Sequence, residues 1–330
     1  SVERVSMPSL QLWYTNASGR LQGQEITANV SIADSVRKQR FALNASLLQK
    51  PNEQELQLRD GLVLNYKTWQ VSQPNKIVFS KEGFYAQNFG FSNGNESINI
   101  NSTAQNANAP LNLNINNFLI SNITEIVQKD TLLANGILNT KLVAENLNTN
   151  PQAKGSLQIQ DLSVKNDTIG NLDVQLTDAS ANEITAKIIV NGRGNDIAVN
   201  GSYYPKPVNN NSFDLRVLIN SLNLRSMEGL TANQIKNSTG NIKGDLTVKG
   251  TASAPNVNGS IQTDNLTTTV TMLGTPYKMP HEKIILSSEG IEFDNFNIID
   301  TIGNKATIDG GIRTRDYRNM DLDMHVRARK

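Results

Sequence analysis

Apolar side chains recur at every second position along most of this chain. Leu10, Leu12 and Tyr14 do so first, then Ile26, Ala28, Val30 and Ile32, then Phe41, Leu43, Ala45 and Leu47. A period of two places those side chains on one face of a strand and the polar residues on the other, so each stretch predicts a half-buried β-strand. Asn16-Ala17-Ser18-Gly19 and Pro51-Asn52 read as the separating turns. Between Leu56 and Ile100 the runs shorten to Leu62-Val63-Leu64, Trp69-Gln70-Val71, Ile77-Val78-Phe79, Phe89-Gly90-Phe91 and Ile98-Asn99-Ile100.

The pattern also repeats at long range. Gly136–Leu162 is matched at an offset of 104 residues by Gly240–Leu266, with Pro151, Gly155, Ser156, Gln158 and Leu162 standing for Pro255, Gly259, Ser260, Gln262 and Leu266. The alternating Leu111, Leu113 and Ile115 match Leu215, Val217 and Ile219, and Phe118 and Ile120 match Leu222 and Leu224. After each of these strands a short helix of one to two turns is expected. Asn122-Ile123-Thr124-Glu125 resembles a capping box, and Ser226-Met227-Glu228-Gly229-Leu230 keeps a cap. Gly-Asn turns at Gly94-Asn95, Gly194-Asn195 and Gly303-Asn304 recur at a similar spacing. In both copies the alternation changes phase, between Ile159 and Leu162 and between Ile261 and Leu266. A phase change inside a strand requires a bulge, because otherwise the later side chains face the wrong side.

A repeat with one apolar face must stack on its neighbours to bury it. The expected fold is therefore all-β: an elongated, solenoid-like curved sheet of repeats about 105 residues long, approximate units 1–109, 110–213 and 214–330, with one or two very short helices. Scarce proline, at Pro51, Pro110, Pro151, Pro205, Pro207 and Pro255, is assigned to turns.

Composition narrows the function. A net charge of +1 and 5% aromatic residues, with no basic stripe interleaved with aromatics, argue against nucleic-acid binding. Cysteine is absent, which removes disulfides and thiolate metal sites. The two histidines, His281 and His325, have no metal-spaced partners and read as a loop residue and a strand-surface residue. Asp321-Leu322-Asp323 reads as the polar face of an edge strand, and Gly192-Arg193-Gly194 lacks the ending and the helix of a phosphate loop. Arg37-Lys38-Gln39-Arg40 offers contacts to an anionic headgroup, but reads first as a solvated turn before a hydrophobic strand. The Asn-x-Ser/Thr triplets at Asn16, Asn29, Asn44, Asn122 and Asn265 are treated as a by-product of composition. No catalytic constellation, cofactor site or metal site is read, so a non-enzymatic protein is expected. No apolar run approaches the roughly 20 residues that span a bilayer. The alternating Met320–Val326 stops in Arg327-Ala328-Arg329-Lys330, which predicts a fragment of a longer protein with any membrane anchor outside it.

The order at Leu215–Leu266 is an alternating strand, a short turn of helix, a Gly-x-x-x-Gly-Asp-Leu-x-Val-x-Gly-Thr strand, a Pro-x-x-x-Gly turn and a further strand. It resembles the AsmA-like proteins. Gly274-Thr275-Pro276-Tyr277, Lys283–Gly290 and Asp300–Gly310 look like the large translocation-and-assembly-module members near their C-terminal conserved domain. The first copy departs from the pattern with Asn146-Leu147 in place of Gly-Thr, and the first hundred residues match loosely. The resemblance implies a sheet rolled lengthwise into a U-shaped trough with an apolar interior. It implies a periplasmic location, tethered to the inner membrane through a segment outside this chain, and an outer-membrane barrel partner. It further implies phospholipid transport between membranes or assembly of outer-membrane proteins.

An apolar trough shelters acyl chains at about 0.8 kcal/mol per buried CH₂. The expected inward set is Leu111, Leu113, Ile115, Phe118, Leu157, Ile159, Leu215, Val217, Ile219, Leu222, Leu246, Val248, Ile261, Phe293 and Phe296. The opposing expectation is that these residues pack on each other in a closed core. A scaffold for outer-membrane protein insertion acting through exposed sheet edges is the alternative function. A secreted β-solenoid adhesin or carbohydrate-binding protein ranks below both, since neither clustered carboxylates nor aromatic sugar platforms are present.

Overall fold

The computed structural model describes residues 2–7, 10–127, 133–165, 167–180, 182–314, 317 and 319–329. Among them are 25 strands, one four-residue α-helix and two short 3₁₀ segments, so the protein is all-β. The chain divides into two compact units, residues 1–160 and 161–330.

In residues 1–160 a meander of Val2–Met7, Leu10–Gln22, Glu25–Ala33 and Gln39–Gln49 pairs antiparallel in sequence order. Glu53–Leu58 then pairs with Gln39–Gln49 on one side and Lys76–Ser80 on the other. The hairpin Leu62–Leu64/Lys67–Val71 leaves that ladder, joining Gln39–Gln49 through Val63 and Phe89–Asn93 through Val71. The core of this unit gathers around that hairpin. Leu58, Leu62, Trp69, Val71 and Phe118 are buried there, with Phe89, Phe91, Ile98, Ile115 and Leu138 packed against them. Trp69 meets Phe91 edge-on at 5.5 Å and Phe118 at 5.6 Å between centroids. Each such side chain contributes about 1.5–3 kcal/mol by leaving water, and aromatic pairing adds about 0.5–1.5 kcal/mol.

In residues 161–330 the strands Asp167–Ser180, Glu183–Gly192, Asn195–Val208, Asn211–Asn223, Ile235–Thr251 and Ala254–Val270 form a plain antiparallel meander. Ala254–Val270 is then flanked by two shorter strands in line, Thr275–Met279 and Lys283–Ser287. Gly290–Ile299, Lys305–Arg313 and Asp321–Arg329 follow in order.

Several local expectations are corrected. Asn16–Gly19 is not a turn: it lies inside Leu10–Gln22 and pairs with Ala28–Ser31, the chain reversing instead at Gly23-Gln24. Cross-strand pairing overrides the turn propensity of the Asn-Ala-Ser-Gly run. Pro205 and Pro207 lie within Asn195–Val208, at a place where the pairing with Asn211–Asn223 skips from Tyr203 to Val208, so no ladder bond is asked of their missing N–H. Pro255 is likewise a strand residue, opposite Gly250. The turn read at Gly194-Asn195 is Arg193-Gly194, with both residues at positive φ (55° and 86°) and Asn195 opening the next strand.

The expected helices are present but are not capped as their sequences suggest. Ser121–Thr124 starts behind Ile120, which makes no side-chain cap, and continues as the 3₁₀ turn Glu125–Val127. Asn122 is buried and donates to Glu96 Oε2 at 2.7 Å, while Leu119 N–H donates to the same oxygen at 3.1 Å. In the second segment, Leu224–Thr231, the cap is Asn223, which accepts from Arg225 N–H at 3.1 Å. Ser226 turns inward to the Asn195 side chain, which also accepts from Asn223 N–H at 2.8 Å. Both short helical segments are thus anchored by a buried polar residue that opens a strand, Glu96 or Asn195, rather than by a local box.

The phase changes are bulges, and they use asparagine and aspartate in one manner. Asp161 and Asn265 sit inside strands with φ of 49° and 50°. Ladder registers slip by one residue between Ile115 and Phe118, between Ile219 and Leu222, and between Phe293 and Phe296. Asn88, Asn117, Asp161 and Asn295 all have positive φ, and each donates its N–H to a side-chain oxygen of Asn101, Asn139, Asn171 or Asp309 respectively, at 2.9–3.0 Å. Left-handed backbone favours Asn and Asp among residues with a Cβ, and the partner satisfies an N–H that the bulge removes from the ladder. Part of the chain's asparagine therefore has a structural use at these positions.

Candidate apolar binding face

Residues directly opposite in an antiparallel ladder share a face, so register converts the alternation into rows. In residues 161–330 one row runs Leu172, Val190, Ile197, Ile219, Gly244, Ile261, Ile284, Phe293, Gly310 and Met324. The adjoining row runs Val174, Ile188, Val199, Val217, Leu246, Gly259, Leu286, Ile291, Ile312 and Leu322. A third, shorter row holds Leu176, Ala186, Gly201, Leu215, Val248 and Val257. Ten strands thus carry two adjacent rows without a polar side chain. With strands about 4.8 Å apart, nine spacings give rows on the order of 43 Å along the sheet.

From Leu172 to Ile312 the apolar side chains of these rows are half-buried rather than buried. Among the described residues of this unit the buried large apolar ones are Ile184, Leu266 and Phe296, with Phe293 edge-on to Phe296 at 5.4 Å. The strands pack chiefly on their ladder neighbours, and the 3₁₀ segment Leu224–Thr231 packs on Ile235–Thr251, Asp167–Ser180 and Asn211–Asn223. That segment reaches back to the start of Asp167–Ser180, where Gly229 N–H donates to Asp167 at 2.6 Å.

The opposite face mixes charged pairs with Ile189, Ala198, Leu218 and Ile285. Arg216–Asp245 at 2.8 Å, Lys249–Asp214 at 2.9 Å and Lys243–Asp264 at 2.7 Å are cross-strand pairs in water. The Arg216 guanidinium holds the Asp245 carboxyl below its usual range by hydrogen bonding. Such solvent-exposed pairs add little stability and serve mainly to help fix the register. A cavity of about 410 Å³ lies at Tyr14 and Arg37 in residues 1–160, and one of about 330 Å³ in residues 161–330 is lined by Glu292, Asp294, Arg313 and Asp323 together with Ile291, Phe293, Gly310 and Ile312 of the apolar rows.

The expected inward residues separate into groups. Leu215, Val217, Ile219, Leu246, Val248, Ile261 and Phe293 lie in the three rows, and Leu222 pairs with Ile242 just beyond the bulge on the same side. Phe296 is 5% exposed and packs as a core residue. In residues 1–160, Phe118 is 2% exposed and Ile115 packs against it, so both belong to the filled core around Trp69. Leu111 and Leu113 pair with Ala144 and Leu142, and are half-buried, as are Leu157 and Ile159 on Gln152–Val164. Sequence reasoning missed Leu172, Val174, Ile188, Val190, Ile197, Val199, Ile284, Leu286, Ile291 and Ile312. Each has the period-two signal, but only cross-strand register shows that they continue the same rows.

Among the described residues no three His, Asp or Glu gather to hold a metal ion, and no helix is long and apolar enough to cross a membrane. No family model matches the chain, and no curated protein or solved structure matches it.

Proposed function

We propose that residues 161–330 shelter the acyl chains of phospholipids on their apolar face, as a segment of a periplasm-spanning bridge that carries lipid between the inner and outer membranes. The observation that carries this reading is the pair of apolar rows crossing ten strands, left half-buried by the described residues. An acyl chain laid along such rows removes both itself and the side chains from water, at about 0.8 kcal/mol per buried CH₂. It needs no specific polar contact, which suits a face with no titratable group in its rows. The trough of about 105-residue repeats, the inner-membrane tether and the periplasmic setting rest on the AsmA-like resemblance. A photo-crosslinking residue at Val217 or Ile219 should capture phospholipid in cells. Capture of protein neighbours alone overturns the proposal.

One observation favours the second reading, a scaffold for outer-membrane protein insertion with a barrel partner. Asp321–Arg329 pairs only with Lys305–Arg313 among the described residues, and Leu322 and Val326 are 68% and 61% exposed. An open strand with exposed apolar side chains can take up a further strand. Crosslinks from this strand to a barrel protein, without lipid capture at Val217, select that reading.

A further inference from the structure

The cavity of about 410 Å³ in residues 1–160 lies where two backbone strains meet. Tyr14 has φ of 39° at a bulge in Leu10–Gln22, where the register with Glu25–Ala33 slips between Trp13 and Asn16. Left-handed backbone is a rare conformation for an aromatic residue and is retained where the surroundings impose it, commonly at binding sites. Arg37 has φ of 66°, fixed by a turn in which Asp34 accepts from Val36 N–H at 3.0 Å and Lys38 N–H at 2.9 Å. The two residues meet: the Arg37 guanidinium lies 4.4 Å from the centre of the Tyr14 ring. Stacking holds the guanidinium flat and leaves its N–H edge free.

Arg37 and Glu3 both line this cavity, yet neither makes an ion pair among the described residues. The other cations of the turn are engaged: Arg40 pairs with Glu125 at 2.7 Å, and Lys38 lies 5.0 Å from the Tyr66 ring. Asn16, Ser31 and Gln39 add neutral donors to the lining. One unpaired cation and one unpaired carboxylate in a single cavity complement a ligand that carries both charges.

We propose that Arg37, Glu3 and the donors around Tyr14 form a site for a phosphate ester bearing a primary amine, the phosphoethanolamine class. The guanidinium takes two phosphate oxygens and the carboxylate takes the ammonium. This site lies in residues 1–160 and is independent of the acyl-chain face. The ligand is either a soluble ester or a lipid headgroup, and the test separates the two.

Titration calorimetry of the full chain with O-phosphoethanolamine and with glycerol 3-phosphate supplies the soluble arm. Flotation with phosphatidylcholine vesicles, with and without phosphatidylethanolamine, supplies the lipid arm, since the quaternary amine of phosphatidylcholine cannot donate to Glu3. Arg37→Asn removes the guanidinium while suiting the left-handed turn, so the fold is retained. It should weaken binding roughly tenfold or more. Glu3→Gln should abolish the preference for phosphoethanolamine over glycerol phosphate and leave the latter bound. Saturable, Arg37-dependent binding of the soluble ester identifies a free ligand as sufficient, and Arg37-dependent binding of vesicles alone identifies the headgroup. Absence of binding in both arms, or equal binding by Arg37→Asn, overturns the proposal.

Discussion

Replacing Val199, Val217 and Val248 together by threonine distinguishes an open apolar face from a filled core. Threonine keeps the β-branch and nearly the volume of valine, so strand propensity and shape change little, and a hydroxyl replaces one methyl. The three positions lie on neighbouring strands, Val199 opposite Val217, and Val217 and Val248 two residues from each other's partners. In a closed core each hydroxyl lacks a partner and costs about 1–3 kcal/mol, or roughly 3–9 kcal/mol for three. That is a large share of the 5–15 kcal/mol by which a domain of ordinary stability stays folded. On a face open to water the hydroxyl is hydrated, and the loss is about half a methyl transfer at each site, near 1 kcal/mol in total. Urea unfolding followed by circular dichroism reads the difference, with Phe118→Ala as the packed-core reference at about 3–5 kcal/mol. Lipid retained through purification provides the second readout. Three hydroxyls stripped of water beneath an acyl chain cost at least about 1.5 kcal/mol, roughly a tenfold loss of retained lipid. A stability loss of 3 kcal/mol or more shows that these valines face a filled interior and removes the basis of the acyl-chain reading.

Two further outcomes follow from the fold. Burial alone raises the Glu96 carboxyl, but hydrogen bonds from Lys67, Leu119 N–H and Asn122 outweigh it and hold the group below its ordinary value. Its stabilisation is therefore full above the unfolded carboxylate range, near pH 4.3, and is lost as pH falls through the lowered folded value. Glu96→Gln should cost about 1–3 kcal/mol at pH 7 and flatten the acid side of a stability-versus-pH curve, and an unchanged curve refutes the assignment. Gly259 has φ of 137°, and a Cβ there would lie 2.2 Å from Asp245 O, whereas Gly303 has φ of 93° with open space around it. Gly259→Ala should lower the thermal midpoint by clearly more than Gly303→Ala, since only the first adds a backbone clash to an unfavourable φ of about 1–3 kcal/mol. Equal losses would show that conformation alone is responsible.

Much of the strand content was legible because alternation is a local signal: Leu215, Val217 and Ile219 announce a face without reference to any other strand. The bulges were legible for the same reason. A phase change at Asp161 or Asn265 is written in the spacing of neighbouring apolar residues, and both positions have left-handed backbone in the structure. What the alternation cannot contain is the identity of the covering layer. Phe118 and Leu222 occupy matching places after matching bulges, yet Phe118 is sealed under Trp69 while Leu222 is half-buried. The difference arises 49 residues away at Trp69, in the hairpin Leu62–Leu64/Lys67–Val71, which packs on Phe118. The helix anchors are similarly non-local, since Glu96 and Asn195 reach segments 23–31 residues distant in sequence. Period and phase belong to the chain because they depend on side chains a few residues apart. Register, and with it the continuity of the apolar rows and what covers them, depends on which strands meet, and that is decided only when the sheet closes its hydrogen bonds.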